Sequence, residues 1–124
     1  MPRPRRPSSP SMLRAKIWVE RGGLVALTDA GADLLEQIQV KGSLSEAARS
    51  LHFSYRRAWM LLDAMNKRWD EPLVITAIGG KRGGGATLTE LGGRALRSFR
   101  DLQIHIEAAI DQEVDGFRRA TRAG

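Results

Sequence analysis

The chain has 124 residues, room for one domain with a modest core, and a formal net charge of +6 that favours an anionic partner without separating DNA, RNA and an anionic membrane surface. It holds no cysteine, which excludes disulfides, thiolate metal sites and cysteine nucleophiles. No apolar run approaches the roughly 20 residues that span a bilayer, and the N-terminal Pro/Arg/Ser segment lacks the apolar stretch of a signal peptide, so a soluble intracellular protein is expected.

Residues 1–12 carry four of the five prolines and almost no apolar side chains, and read as a disordered basic arm. "RAKIWVE" then alternates, with Ala15, Ile17 and Val19 on one face and Lys16, Trp18 and Glu20 on the other. That is the spacing of a short strand, turned at Gly22-Gly23 and resumed by "LVAL" as a hairpin. In "TDAGADLLEQIQVKG", Thr28 or Asp29 caps a helix, Gly31, Leu34, Leu35 and Ile38 share a face, and Gly42 stops it. "SLSEAARSLH" opens at Ser43 with Glu46 three residues later, a capping box, and points Leu44, Ala47, Ala48 and Leu51 inward. "SYRRAWMLLDAMNKRWD" opens at Ser54, buries Ala58, Leu61, Leu62, Met65 and Trp69 at 3,4-spacing, and is ended by Pro72. "LVITAI" reads as a strand, the Gly-rich run after it as a loop, and "ATL" as a partner strand. One long helix capped by Thr89 closes the chain. No internal repeat is visible.

Two short helices joined around "LHFS" form an αα unit, which simple core packing can explain. The second of them says more. At 100° per residue, the side opposite its apolar stripe carries Arg56, Met60, Asp63 and Lys67, with Tyr55 and Trp59 on one flank and Arg57 and Arg68 on the other. Ser54, Tyr55, Arg56 and Arg57 thus lie side by side at the helix N-terminus, the part that a recognition helix sets against base edges and phosphates. Arg can bind guanine in a bidentate manner, Ser can bond a phosphate or base, and the exposed N–H groups favour phosphate. The competing reading is a solvated face for Arg56 and Arg57, and helix packing for Tyr55 and Trp59; Trp59 in particular is expected to pack.

"GSLSEAARSLHFSYRRAWMLLDAMN", followed by "LV" and "GGKRGGGATLTELGGR", closely resembles the N-terminal DNA-binding domain of the ModE family of molybdate-responsive transcriptional regulators. More distantly it resembles the LysR-type winged helix-turn-helix, through "SLSEAARSL" and the "LT.LG" that opens the last helix. The resemblance runs from about residue 14 to residue 112, and its most specific part is the pairing of "SYRRAW" with "GGKRGGGA". It implies a winged helix whose second short helix, 54–68, enters the major groove, with the Gly-rich loop as the wing and the long last helix pairing two subunits. By the match, Ser43, Ser45, Ser54, Tyr55, Arg56 and Arg57, with Lys81 and Arg82 on the wing, fall where the family meets DNA. There are departures. His52 stands where the interhelix turn usually has glycine, and histidine tolerates the left-handed region better than most residues. Thr76 holds the place of an Arg at the start of the wing. Only "FRRATRAG" follows the long helix, so the family's separate C-terminal molybdate-binding module is expected to be absent, and molybdate enters by family resemblance alone.

A nucleotide-binding P-loop needs G-x-x-x-x-G-K-[ST], but here Lys81 precedes the triple glycine and no "GK[ST]" occurs. A dinucleotide fingerprint needs a parallel βαβ unit, which 124 mostly helical residues do not supply. As a flexible tip the loop lets Lys81 and Arg82 reach phosphate or a minor groove; a plain surface turn is the bland alternative. On the last helix Ala95, Phe99, Leu102, Ile106 and Ala109 repeat at 4,3-spacing, with Leu96 and Ile110 alongside. A stripe that outruns a small core suggests a helix pairing with its copy, the rival being one helix laid across its own domain. His52 and His105 lack ligand spacing, and Asp111, Glu113 and Asp115 read as a solvated terminus, so neither a metal site nor catalysis is expected.

The sequence therefore predicts a mainly α (α+β) winged helix-turn-helix with an N-terminal strand hairpin, a Gly-rich wing and a long C-terminal dimerisation helix. Residues 1–12 are the arm, 13–88 the DNA-binding domain, 89–116 the dimerisation helix and 117–124 a flexible tail. The expected function is that of a cytoplasmic, nucleoid-associated bacterial regulator, a repressor of the molybdate-responsive type, which binds a palindromic operator in double-stranded DNA as a homodimer. The alternatives are a protein-interaction module on a winged-helix scaffold and a small phosphate-handling enzyme using the Gly-rich loop.

Overall fold

In the computed structural model, which describes residues 15–77 and 85–122, two glycines make the first turn. Gly22 and Gly23 both have positive φ (61° and 77°), as a two-residue hairpin with right-handed strand twist requires. They join β1 (Val19–Arg21) to β2 (Leu24–Leu27) in an antiparallel pair. The strand is shorter than its alternation suggests. Leu27 is already paired with Val19 and Thr28 begins the next helix, so residues before Val19 have no strand to join. The faces still alternate: Ile17 and Val19 pack on the core, whereas Trp18 is exposed.

Each helix begins where a hydroxyl can accept a backbone N–H. Thr28 caps α1 (Asp29–Lys41), Ser43 caps α2 (Leu44–Ser50), Ser54 caps α3 (Tyr55–Lys67) and Thr89 caps α4 (Glu90–Ala120). Gly42 closes α1 in the left-handed conformation, φ 68°, and donates its N–H to Ile38. In the α2–α3 turn, His52 takes φ 58°, the one positive φ of a non-glycine residue among those described. The turn is held by the Phe53 N–H on Ala48 O at 2.9 Å. α3 ends at Lys67, sooner than its pattern suggests; Trp69 leaves the helix but still packs on the core.

β3 (Val74–Thr76) and β4 (Ala86–Leu88) pair antiparallel, Val74 opposite Leu88 and Thr76 opposite Ala86. The described residues thus give four helices and two small antiparallel sheets, an α+β chain dominated by helix. The core is made where the three shorter helices meet β3 and the start of α4. Leu34, Leu35, Ile38, Leu62, Leu73, Val74 and Phe99 are its largest fully buried side chains.

α4, 31 residues and about 46 Å long, outruns that core. Leu96 and Phe99 are buried, but Leu102, Ile104 and Phe117 are exposed. The helix continues to Ala120, four residues past the expected boundary at 116. Arg100 fastens it to α1 at the edge of the core, 2.7 Å from Asp33, 3.3 Å from Asp29 and 3.4 Å from Glu36. No helix among the described residues is long and apolar enough to cross a membrane.

Candidate nucleic-acid interface

The outward end of α3 is built by its cap. Ser54 is in an extended conformation and its Oγ accepts the Arg57 N–H at 3.0 Å, which turns Tyr55, Arg56 and Arg57 through the first helical turn. All four side chains are exposed. The charge placed here is unusual for this fold. α1, α2 and α4 each carry an acid in the first turn (Asp29, Glu46 and Glu90), where the helix dipole favours negative charge. The first turn of α3 has no acid and carries two arginines. Its positive end is therefore reinforced, an arrangement that costs energy until an anion arrives.

Arg57 lies over the Phe53 ring, its guanidinium carbon 4.0 Å from the centroid, so its position is set by a cation–π contact. Among the described residues no side chain hydrogen-bonds or pairs with Arg56. Arg56, Arg57 and Ser54, with Met60, Leu61 and Ala64, line a shallow open groove along the outer face of the helix.

The two upstream serines part company. Ser43 is buried, 4% exposed; its Oγ accepts the Glu46 N–H at 3.3 Å and shares a hydrogen bond with Ser45 Oγ at 3.1 Å. Its hydroxyl is committed to the cap of α2, leaving the exposed Ser45 as the outward member of the pair. Lys81 and Arg82 lie outside the described residues, but β3 and β4, which flank them in sequence, are held in place. The Asn66 side chain of α3 accepts from Leu73 N at 2.9 Å and donates to Val74 O at 3.1 Å, and Ala86 N donates to Gly42 O at 3.0 Å. Thr76, which stands where the resembled family has an Arg, is exposed at the last β3–β4 pair.

Trp59 differs from its expectation. It is 42% exposed rather than packed away, and its Nε1–H donates to the Tyr55 hydroxyl at 2.8 Å. The inward stripe of α3 is filled by Ala58, Leu62 and Met65, and Tyr55 and Trp59 stay exposed on its flank. Their i, i+4 spacing was the available signal. No cluster of three or more His, Asp or Glu that could hold a metal occurs among the described residues.

No protein-family model matches the chain. Over 87 residues it is 41% identical to the molybdenum transport protein ModE of Azotobacter vinelandii, covering 70% of this chain and 32% of that protein. It is 40% identical over 74 residues to the DNA-binding transcriptional dual regulator ModE of Escherichia coli K12, covering 60% and 28%. It is 34% identical over 98 residues to the molybdenum-pterin-binding protein MopA of Rhodobacter capsulatus, covering 79% and 37%. The chain thus spans about a third of the length of these curated relatives. The similarity agrees with the ModE resemblance read from the residues, and the relatives are named as a transport protein, a regulator and a pterin-binding protein, not as enzymes.

Proposed function

We propose that this chain is a sequence-specific transcriptional regulator that binds double-stranded DNA, of the molybdate-responsive ModE type. The observation that carries the proposal is the first turn of α3, where Arg56 and Arg57 stand exposed at the positive end of a helix with no acid beside them. A helix N-terminus so charged suits a phosphate or a base edge far better than solvent.

In this reading α2, the His52 turn and α3 form a helix-turn-helix within residues 13–88, and the β3–β4 hairpin is its wing. α3 enters the major groove with Ser54, Tyr55, Arg56 and Arg57 leading and Ser45 alongside, while Lys81 and Arg82 hold the backbone nearby; Ser43 acts through the cap of α2. Affinity comes mainly from phosphate neutralisation, and sequence choice from Tyr55 and Arg56. The apolar residues of α4 that the core leaves exposed pair two copies, so that two recognition helices meet a palindromic operator one helical turn apart. Occupying that operator in the cytoplasm, the dimer represses transcription. The names of the relatives support a link to molybdenum, and "dual regulator" in one of them allows activation at other sites.

Selection of bound duplexes from a random pool, with and without molybdate, followed by salt titration of the tightest one, tests the proposal. Recovery of a two-fold symmetric sequence, with log affinity falling steeply against log salt, is the expected result. Affinity for all duplexes that is weak, unselective and indifferent to salt would overturn it in favour of a protein-docking scaffold.

A further inference from the structure

Tyr55 and Trp59 are two large aromatic side chains on the outside of α3, 55% and 42% exposed, and their polar atoms are bonded to each other. A phenol has one proton to donate and lone pairs to accept with; an indole N–H can only donate. The direction of this bond is therefore fixed. Trp59 Nε1–H occupies an acceptor position of the Tyr55 oxygen, at 2.8 Å, and the phenolic proton of this exposed side chain is left to be donated elsewhere. On a helix, residues four apart stand one above the other, so the bond also holds the Tyr55 ring beside Arg56 at the leading turn.

We infer that Trp59 is a positioning residue that fixes the Tyr55 hydroxyl as a hydrogen-bond donor to the DNA. The inference rests on the DNA-binding reading of α3 above. The group it addresses is an acceptor: N7 or O6 of a purine or O4 of thymine in the major groove, or a phosphate oxygen. Without Trp59 the phenol would turn freely and could accept as well as donate, so the contact would lose both affinity and direction. With it, that freedom is given up before DNA arrives.

Two measurements on the full chain test this. Tyr55 is the one tyrosine and the chain has three tryptophans, so a 15N–1H spectrum carries three indole signals. They have three different surroundings: Trp18 donates to Glu20, Trp59 to Tyr55, and Trp69 Nε1 is buried with no partner among the described residues. In Tyr55→Phe, without DNA, the Trp59 indole signal is expected to move well beyond the other two. If all three stay in place, the pair does not exist and the inference fails.

The second measurement is a double-mutant cycle of Tyr55→Phe and Trp59→Phe, read on the tightest duplex selected from the random pool and on an unrelated duplex of equal length. Each single variant is expected to weaken binding about 3- to 10-fold, and the double variant no further than Tyr55→Phe alone. Loss confined to the selected duplex assigns the acceptor to a base edge, and equal loss on both assigns it to a phosphate; either supports the donor role. Losses that simply add overturn it. If the wild-type chain binds no duplex while its indole signal still moves in Tyr55→Phe, the DNA-binding reading is what has failed: the hydrogen bond stands and its role in DNA contact is overturned.

Discussion

The side-chain amide of Asn66 hydrogen-bonds both polar groups of the Val74 backbone, its Oδ1 accepting the N–H at 3.2 Å and its Nδ2 donating to the C=O at 3.1 Å. The same oxygen accepts the Leu73 N–H at 2.9 Å. One side chain in the last turn of α3 thus does for the inner edge of β3 what a neighbouring strand would do, and ties the arginine-bearing helix to the β3–β4 hairpin. Asn66→Ala leaves three part-buried backbone groups without these partners, and is expected to cost about 2–4 kcal/mol in urea unfolding. Asn66→Gln, with one more methylene, cannot hold the same three bonds and should lose about half as much. A cost below about 0.5 kcal/mol for Asn66→Ala would show that water replaces the clamp.

Gly92, in the first turn of α4, lies against the carbonyl of Leu73, and a Cβ built there would overlap that oxygen. The same oxygen accepts the Thr89 N–H at 2.9 Å, so it cannot swing aside without uncapping α4. Gly92→Ala is expected to destabilise by about 1–3 kcal/mol despite the better helix propensity of alanine. Gly116, deep in the same helix, would meet nothing closer than the Arg119 guanidinium at 3.9 Å. Gly116→Ala should therefore stabilise by about 0.5–1 kcal/mol. Thermal melts of the two variants give opposite signs if this packing is right.

Much of this fold is local and can be read from single residues. Thr28, Ser43, Ser54 and Thr89 each cap the helix they were read to open, and Gly22-Gly23 and Gly42 sit where positive φ is needed. The positive φ of His52 falls where the resembled family has glycine in that turn. The features the residues did not disclose join distant parts of the chain. The Asn66 clamp, the close approach of Gly92 to Leu73, and the partner of three acids on α1 all depend on packing. Ser43 shows the limit within the candidate site: the pattern that makes it a cap does not say that it is buried as well. Trp59 shows the reverse, an aromatic expected to pack on a neighbouring helix that the fold leaves 42% exposed.

Asp29, Asp33 and Glu36 form an acidic stripe on α1 that is unfavourable alone, and Arg100, 67 to 71 residues away from two of them, makes it favourable. Burial pulls the Arg100 pKa down, but the hydrogen bond to Asp33 and the charges of Glu36, Asp33 and Asp29 outweigh it, and the pKa lies above its ordinary value. A cation whose pKa is raised by folding contributes fully below its unfolded pKa and is lost only as pH passes the folded one. The arginine charge thus supports α4 throughout neutral and moderately alkaline pH. Arg100→Met leaves the three acids facing each other and is expected to cost about 2–4 kcal/mol at low salt. Part of the cost should return in 0.5 M salt, which screens the repulsion at these partly exposed carboxylates. A deficit that ignores salt would assign the role of Arg100 to packing alone.

Arg56 gives the sharpest test of the candidate interface, because the fold itself gives it nothing to do. It is exposed, none of the described side chains pairs with it, and it sits at the positive end of α3. Removing it should therefore leave stability unchanged or raise it by a few tenths of a kcal/mol, since a cation leaves the wrong end of a helix dipole. Binding should respond the other way. Arg56→Ala is expected to weaken the selected duplex by about 1–3 kcal/mol and to relax discrimination at one base position, as loss of a bidentate guanine contact does. Lys81→Ala, in the Gly-rich run between β3 and β4, should weaken all duplexes alike and lower the salt slope by about one, as loss of a phosphate contact does. Opposite movement of stability and affinity in Arg56→Ala would mark a residue held for its partner. If instead Arg56→Ala lost stability and left discrimination intact, α3 would be a structural helix and the base-reading surface would have to lie elsewhere.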